Sequence, residues 1–276
     1  MRRFLISRTA IARIDLMVLF EVCVDSVSSA SAARAGGASR VELCDALSEG
    51  GLTPSLGKIE AVVRAAAPLP VYVLVRPRAG DFCYSPDELR VMARDVEVAA
   101  GAGAAGIVLG VLQPDGVVDE ARTRELFLIA KALGLRCTFH RAVDAARDVV
   151  EAGVAAARVG ADAILTSGGA ATALAGAATI RALCDALAAA GAEHVQVIAG
   201  GGISAENAGA LVAAARVGAV HASARAPPQP GAMQFIKDPP VAMGGTGAGD
   251  AFTSEYCVRV ATEATVSAIR MALPKS

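Results

Sequence analysis

Two short segments of the chain carry the same arrangement of reactive side chains. Glu21 and Cys23 are separated by one residue, and so are Glu42 and Cys44. Both pairs lie in apolar runs typical of β-strands, in which alternate side chains point to the same face. If the two strands are neighbours in one sheet, two thiols and two carboxylates converge on one small patch.

The paired thiols permit three interpretations. Neighbouring parallel strands lie roughly 4.7–4.9 Å apart, so the thiolates of Cys23 and Cys44 at matching depth would bracket one soft ion such as Cu(I). Zinc takes four ligands, or three and a water, and the chain has no HExxH motif. The strand separation is also near disulfide range. Buried cysteines that serve only as small hydrophobic side chains are the third interpretation.

The carboxylates indicate acid–base chemistry as an alternative. We expect Glu21, Glu42 and His140 to face inward, with Arg76 opposite them. Carboxylates in a confined space either pair with arginine or have a raised pKa, and both outcomes suit general acid–base work on a small polar substrate. A histidine that only binds a backbone carbonyl is the competing interpretation of His140. His221 is a weaker candidate, because its facing depends on the strand register.

Two glycine pairs are candidates for binding a phosphate or another anion. Gly168-Gly169 follows the sixth predicted strand, and Gly201-Gly202 follows the seventh. Glycine-rich turns before helices can cradle phosphates with backbone amides. Proline rather than glycine follows the eighth strand, so half of the usual barrel phosphate site is missing.

Apolar β-rich runs alternate with Ala-rich helical stretches along the chain. This alternation predicts a single-domain (βα)8 barrel of the TIM type, with a doubly wound open sheet as the alternative. The chain has no G-x-G-x-x-G after the first strand, so we expect no nucleotide cofactor. The predicted strands are 17–24, 40–45, 71–77, 105–111, 136–142, 162–167, 195–199 and 219–224. The predicted helices lie near 26–36, 55–66, 85–102, 120–134, 146–159, 172–190, 204–215 and 260–272.

Composition limits the classes of binding partner and the cellular compartment that we expect for this chain. The net charge of -1 offers no basic field for nucleic acid or an anionic membrane, and no apolar stretch approaches the roughly 20 residues of a membrane span. Six separated cysteines without a CxxC pair predict reduced thiols in a cytosolic protein. Residues 1–15 are expected to be a flexible extension that only weakly resembles a transit peptide, before a barrel domain at 16–276. The Pro- and Gly-rich segment 226–250 is expected to form a long loop, as a lid or an oligomer contact.

Longer motifs resemble one known family, that of the copper homeostasis protein CutC. The resemblance covers about residues 17–270, and its motifs are EVCVD at 21–25, AGGASRVELCD at 35–45, EGGLTPS at 49–55, VRPR at 75–78, GDFCY at 80–84, FHRA at 139–142, LTSGG at 165–169 and GGI at 201–203. Val143 and Ala199 depart from the family pattern, in which Phe and Pro are usual.

The resemblance implies a TIM-type barrel whose members include Cu(I) binders, with Cys23 and Cys44 as the ligands. It implies a dimer or tetramer in the cytoplasm, in some members also in the nucleus. No catalysed reaction is established for the family, so an enzyme acting through Glu21, Glu42, Arg76 and His140 stays open beside copper storage, buffering or transfer.

Overall fold

In the computed structural model, eight parallel strands close into a barrel in the order in which they occur in the chain, as the sequence predicts. The structure describes residues 17–233, 235 and 257–274. The expected N-terminal extension 1–15 lies outside these residues, and so does most of the expected loop 226–250. The barrel strands are β1 Leu19–Val24, β2 Arg40–Leu43, β3 Val71–Leu74, β4 Gly106–Leu109, β5 Arg136–Phe139, β6 Ala163–Thr166, β7 Gln196–Gly200 and β8 Ala219–Ala222.

Helices cover the outside of the barrel between successive strands. They are α1 Val27–Ala35, α2 Leu56–Ala66, α3 Pro86–Gly101, α4 Glu120–Ala132, α5 Ala142–Ala145, α6 Val149–Arg158, α7 Ala177–Ala189, α8 Ala208–Ala215 and α9 Glu263–Ala272. A short antiparallel pair, β9 Gln229–Pro230 and β10 Cys257–Val258, follows β8. Within the described part of the chain, no helix is long and apolar enough to cross a membrane.

Local sequence signals set the helix ends. Ser85 and Glu88 form a capping box at the start of α3, with Pro86 at the first helical position. The Asp148 side chain caps α6 and separates it from the short α5, so the helix predicted near 146–159 begins only at Val149. Helix α7 begins at Ala177 rather than near 172, because the preceding residues form a loop over the strand ends.

Each strand is buried on both faces, but the two faces differ in kind. Phe20, Val22 and Val24 of β1 belong to the large apolar cluster between the sheet and the helices. Cys23 belongs instead to a small cluster inside the barrel, together with Cys44, Tyr72, Leu74 and Val108. The alternation of side chains in β1 therefore places reactive groups inside and packing groups outside.

Candidate functional site

The site is built from β1 and its two neighbours in the barrel. In the register of the sheet, Cys23 lies beside Glu42 of β2, and Glu21 lies between Arg40 of β2 and His221 of β8. Closure of the barrel therefore brings His221 to the pair of strands that carry the twin Glu-x-Cys segments, although it is far away in the sequence. The predicted convergence of two thiols and two carboxylates is what the barrel contains.

The two sulfur atoms are close together. Cys23 Sγ lies 3.7 Å from Cys44 Sγ, and Cys44 Sγ donates to Glu42 Oε2 at 3.4 Å. Cys44 nevertheless stands two residues beyond the register partner of Cys23. Ideal strand spacings then separate the two Cα atoms by about 8 Å, beyond the range that a disulfide spans without backbone movement. The register therefore favours reduced thiols over a disulfide.

Glu21 is a carboxylate held inside the barrel. Its side chain is 1% exposed and accepts hydrogen bonds from Arg40 Nε and, at 2.7 Å, from His221 Nδ1. Burial alone would raise the pKa of Glu21, but the charges of Arg40 and His221 lower it below its usual value. The Arg40 guanidinium lies 4.1 Å from the centre of the Tyr72 ring, so a cation–π contact also stabilises its buried charge.

Glu42 has the opposite electrostatic character. Burial raises the pKa of Glu42 to about 8, and the nearest cationic atom, His221 Nε2, is 3.8 Å away. This carboxyl is therefore harder to ionise than that of Glu21, whose pKa is lowered. The two glutamates of the repeated motif differ because Glu21 has Arg40 beside it, whereas no arginine of the described part of the chain pairs with Glu42.

The two thiols also differ. Hydrogen bonding from Cys44 lowers the pKa of the Cys23 thiol; burial opposes this, and His221 lowers the pKa further. The pKa of Cys44 is raised well above its usual value by the Cys23 sulfur and by burial. Burial would lower the pKa of His221, but Glu42, Cys23 and Glu21 raise it well above the ordinary histidine value. The pKa values of the two thiols therefore move in opposite directions.

A cavity of about 180 Å³ opens onto these groups at the barrel mouth. Cys23, Glu42, Cys44 and His221 line one side, with Arg76, His140 and Arg141 also in the lining. Glu21 lies beneath the cavity and reaches it only through His221. The cavity therefore contains most of the groups that the sequence nominates, including His221, the weaker candidate.

His140 and Arg76 have structural bonds of their own. His140 Nδ1 accepts the backbone N–H of Ala142, and burial lowers the pKa of His140 to about 3. The ring is therefore neutral, with its proton on Nε2. Arg76 donates to the carbonyls of Glu49, Gly51 and Gly80, so it holds the loops of the mouth together, and it pairs with no carboxylate among the described residues.

Internal side chains occupy both amides of the first glycine pair: Gly169 N–H donates to Asp144, and Gly168 N–H donates to Thr166 Oγ1. Asp144 accepts hydrogen bonds from the backbone N–H groups of Ser167 and Gly169 and from Thr166 Oγ1. Burial would raise the pKa of Asp144, but these bonds and Arg141 lower it. A phosphate at Gly168 and Gly169 would have to displace this side chain.

The second glycine pair lies close to the same loop. A Cβ on Gly201 would be 3.2 Å from Ser167 Cβ, and one on Gly202 would be 3.1 Å from Thr172. Both glycines have positive φ. Tight packing in a left-handed backbone conformation therefore accounts for these residues without a bound anion.

Known proteins share both sequence and fold with this chain. The model of the CutC family matches residues 18–226. A CutC family protein of Xanthomonas campestris pv. campestris (strain 8004) is 48% identical over 207 residues, which cover 75% of this chain and 83% of that protein. One of Vibrio cholerae serotype O1 (strain ATCC 39541 / Classical Ogawa 395 / O395) is 41% identical over 217 residues, or 79% and 83% of the two chains.

Solved structures agree with these sequence matches. A CutC protein from Streptococcus agalactiae, which carries a provisional assignment to copper homeostasis, matches with a TM-score of 0.69 and 29% identity over 75% of this chain and 99% of that one. A thiamine phosphate pyrophosphorylase from Pyrococcus furiosus has a TM-score of 0.54 at 16% identity, covering 94% and 96%, which concerns the barrel fold alone. With a family model matched over most of its length and close bacterial relatives, this chain belongs to the CutC family.

Proposed function

We propose that this chain binds Cu(I) through Cys23 and Cys44 and serves copper homeostasis by storing, buffering or transferring the ion. The single observation that carries the proposal is the pair of sulfur atoms 3.7 Å apart beside an open cavity. Thiolates are the ligands that select Cu(I) over harder ions. The provisional assignment of the Streptococcus agalactiae relative points to the same cargo.

The spacing of the sulfurs favours a bent site over a linear one. With metal–sulfur bonds near 2.3 Å, a linear arrangement needs sulfurs about 4.6 Å apart, whereas the observed 3.7 Å gives an angle of about 107°. A bent arrangement leaves room for a third donor. The ligand atoms of Cys23, Cys44 and Glu42 all lie within 4.8 Å of one another, so a Glu42 oxygen is the nearest candidate.

A competition titration tests the proposal. Reduced protein is titrated with Cu(I) against a chromogenic chelator, and Cys23→Ser/Cys44→Ser is compared with the wild type. We expect the affinity to fall by at least about 100-fold, because even residues that only orient ligands account for 10–100-fold. The matched control, Cys83→Ser/Cys184→Ser, removes two cysteines outside the cavity and should bind as the wild type does. Equal affinity in the two double variants would contradict the copper site.

A second function is an enzyme that acts on a small polar or phosphorylated substrate. The observation that favours it is the buried group of Glu21, Glu42 and His221, which two-sulfur copper binding does not require. A thermal-shift screen of small organic acids and sugar phosphates tests it, with His140→Ala and Arg76→Ala as the comparison. A compound that raises the melting temperature of these variants as much as that of the wild type binds elsewhere, which would count against the enzyme.

A further inference from the structure

Two buried side chains of the cavity each have a nitrogen without a hydrogen-bond partner. Arg76 is 6% exposed and His140 is 5% exposed, and both line the cavity. Within the described part of the chain, neither Arg76 Nε nor His140 Nε2 has a partner. Most buried polar groups are hydrogen-bonded, and an unmade bond to a buried group costs stability. Two such atoms beside one cavity therefore point to a ligand.

Both of these nitrogens are donors. Arg76 Nε carries a hydrogen because a guanidinium is not deprotonated in proteins. His140 Nδ1 accepts the backbone N–H of Ala142 at 3.2 Å, so the ring proton is on Nε2. A metal ion would find no lone pair on either atom, whereas the oxygen atoms of an anion would accept both hydrogens.

The strand register places the two donor residues on the same level of the barrel. Arg76 follows β3 and His140 follows β5, and the register, continued past the paired residues, aligns both with Gly110 after β4. Their backbones are therefore two strand spacings apart, roughly 9–10 Å. A Cβ on Gly110 would lie 2.7 Å from His140 Nδ1, so the missing side chain leaves room for the ring. The centre of the Phe82 ring lies 5.2 Å from the Arg76 guanidinium and 5.0 Å from the centre of the His140 ring, so both donors are within reach of one small molecule.

The charges around the cavity favour an anion with a single negative charge. Arg76 donates to three backbone carbonyl groups and to no carboxylate of the described part of the chain. Arg141, the other arginine of the cavity, is paired with Asp144 at 2.8 Å. Buried charges are normally paired. The one cation left without a counterion is Arg76, and a monoanion would balance it.

We propose that Arg76 and His140 bind a small monocarboxylate in this cavity, with Arg76 Nε and His140 Nε2 donating to its oxygen atoms. A carboxylate supplies two acceptor oxygens for two donors and one negative charge for one cation. The volume of about 180 Å³ is close to that of about six water molecules, at ≈ 30 Å³ each, so only a compact molecule fits. The inference rests on the second function proposed above, since it names the class of molecule that the cavity would bind.

The test compares acetate with acetamide, which has nearly the same shape but no charge. Reduced, metal-free protein is titrated with each compound at constant ionic strength, and nuclear magnetic resonance of the ligand methyl group gives the dissociation constant. We expect acetate to bind with a Kd in roughly the millimolar range, because so small a ligand has limited binding energy. Acetamide should bind at least about tenfold more weakly, because its hydrogen bonds are not charge-assisted. Equal dissociation constants would overturn the anion site, and this comparison needs no variant.

Competition distinguishes a carboxylate from a phosphate. Formate and inorganic phosphate are each added to the complex with acetate, and the displacement of acetate is followed by the same methyl signal. Formate should displace acetate at lower concentration than phosphate does, because the second charge of phosphate has no cation to balance it. Displacement by phosphate at the lower concentration would overturn the assignment to monocarboxylates.

Two substitutions of one histidine give the next arm. In His140→Asn the side chain can still accept the Ala142 N–H but has no group at the position of Nε2, whereas His140→Gln can place an N–H there. We expect His140→Asn to weaken acetate binding by at least about tenfold and His140→Gln to stay within about threefold of the wild type. The control, His194→Asn, changes an exposed histidine outside the cavity and should leave the Kd unchanged. Circular dichroism verifies folding, and an unchanged Kd in folded His140→Asn would exclude His140 from the site.

Separate readouts distinguish this inference from the two proposed functions. Cys23→Ser/Cys44→Ser should bind acetate within about threefold of the wild type, because neither sulfur belongs to the anion site. A loss as large as that of His140→Asn would overturn the assignment to Arg76 and His140. If acetate binds as expected but the protein chemically alters no compound of the thermal-shift screen, the enzyme fails and the anion site is supported. If acetamide binds as well as acetate, the anion site fails, although a neutral substrate of the enzyme could still be found in that screen.

Discussion

Replacing Glu21 by glutamine removes the carboxylate that balances the Arg40 guanidinium inside the barrel. The two side chains are 1% and 7% exposed, so neither charge can turn to water when its partner is lost. Arg40 also has a terminal nitrogen without a hydrogen-bond partner in the described structure. The Glu21→Gln variant therefore leaves an uncompensated buried cation in a protein of nearly unchanged shape.

The expected cost follows from the burial of the pair. Breaking a buried ion pair by removing one partner costs about 3–5 kcal/mol. For a chain of this size, each kcal/mol lowers the melting temperature by about 2–4 °C, so we expect a fall of roughly 6–20 °C. The double variant Glu21→Gln/Arg40→Met removes both charges and should lose less than about 2 kcal/mol, because an apolar replacement for a buried pair is close to neutral.

Urea unfolding followed by circular dichroism measures these free energies in a double-mutant cycle. The matched control is Glu97→Gln/Arg94→Met, the same changes at an exposed pair on α3, where each variant should stay within about 1 kcal/mol of the wild type. The reasoning is refuted if Glu21→Gln also stays within about 1 kcal/mol. It is equally refuted if the cost of the double variant equals the sum of the two single variants.

Two further substitutions test other parts of the barrel. Asp144 has a lowered pKa in the folded protein, so its contribution to stability is present above about pH 4 and is lost as the pH falls through the folded pKa. The Asp144→Asn variant lacks this contribution, so its free energy of unfolding should fall less steeply than that of the wild type between about pH 5 and 3. Urea titrations at several pH values measure this difference. Gly106→Ala places a Cβ 2.5 Å from the Tyr72 ring and should cost about 1–3 kcal/mol, whereas Gly101→Ala, with no atom within 4 Å, should not destabilise the protein in the same assay. Equal free energies of unfolding for the two glycine variants, or parallel acid profiles for Asp144→Asn and the wild type, would contradict these expectations.

Much of the fold could be predicted because barrel strands and helices each carry a local signal. The alternation of apolar runs and Ala-rich stretches predicts eight βα units, and eight strands close the barrel. The period of two within β1 also places Glu21 and Cys23 on one face, and both side chains lie inside. These inferences succeed because each depends on a few consecutive residues.

The rest of the site depends on contacts that no short segment encodes. His221 reaches Glu21 only because β8 pairs with β1, and the register that orients its ring is set by closure of the whole barrel. Arg40 opens β2, where its charge is typical of a solvated strand end, and only the structure reveals its buried bond to Glu21. Gly168-Gly169 has the composition of a phosphate loop, but the amide of Gly169 donates to Asp144, more than 20 residues earlier in the chain.

The two-residue stagger of Cys23 and Cys44 bears on the copper site proposed for the two sulfurs. Thiols on directly paired positions would be closer to disulfide geometry, whereas the stagger keeps the Cα atoms about 8 Å apart while the side chains lean together. A disulfide would abolish copper binding through the two thiols, so the proposed copper site benefits from this register. Copper binding and alkylation by a reagent such as iodoacetamide exclude each other at any moment, because each needs a lone pair of the Cys23 sulfur. Cu(I) bound at this thiol should therefore block its alkylation, and the fraction of Cys23 protected should follow the occupancy measured in the chelator titration.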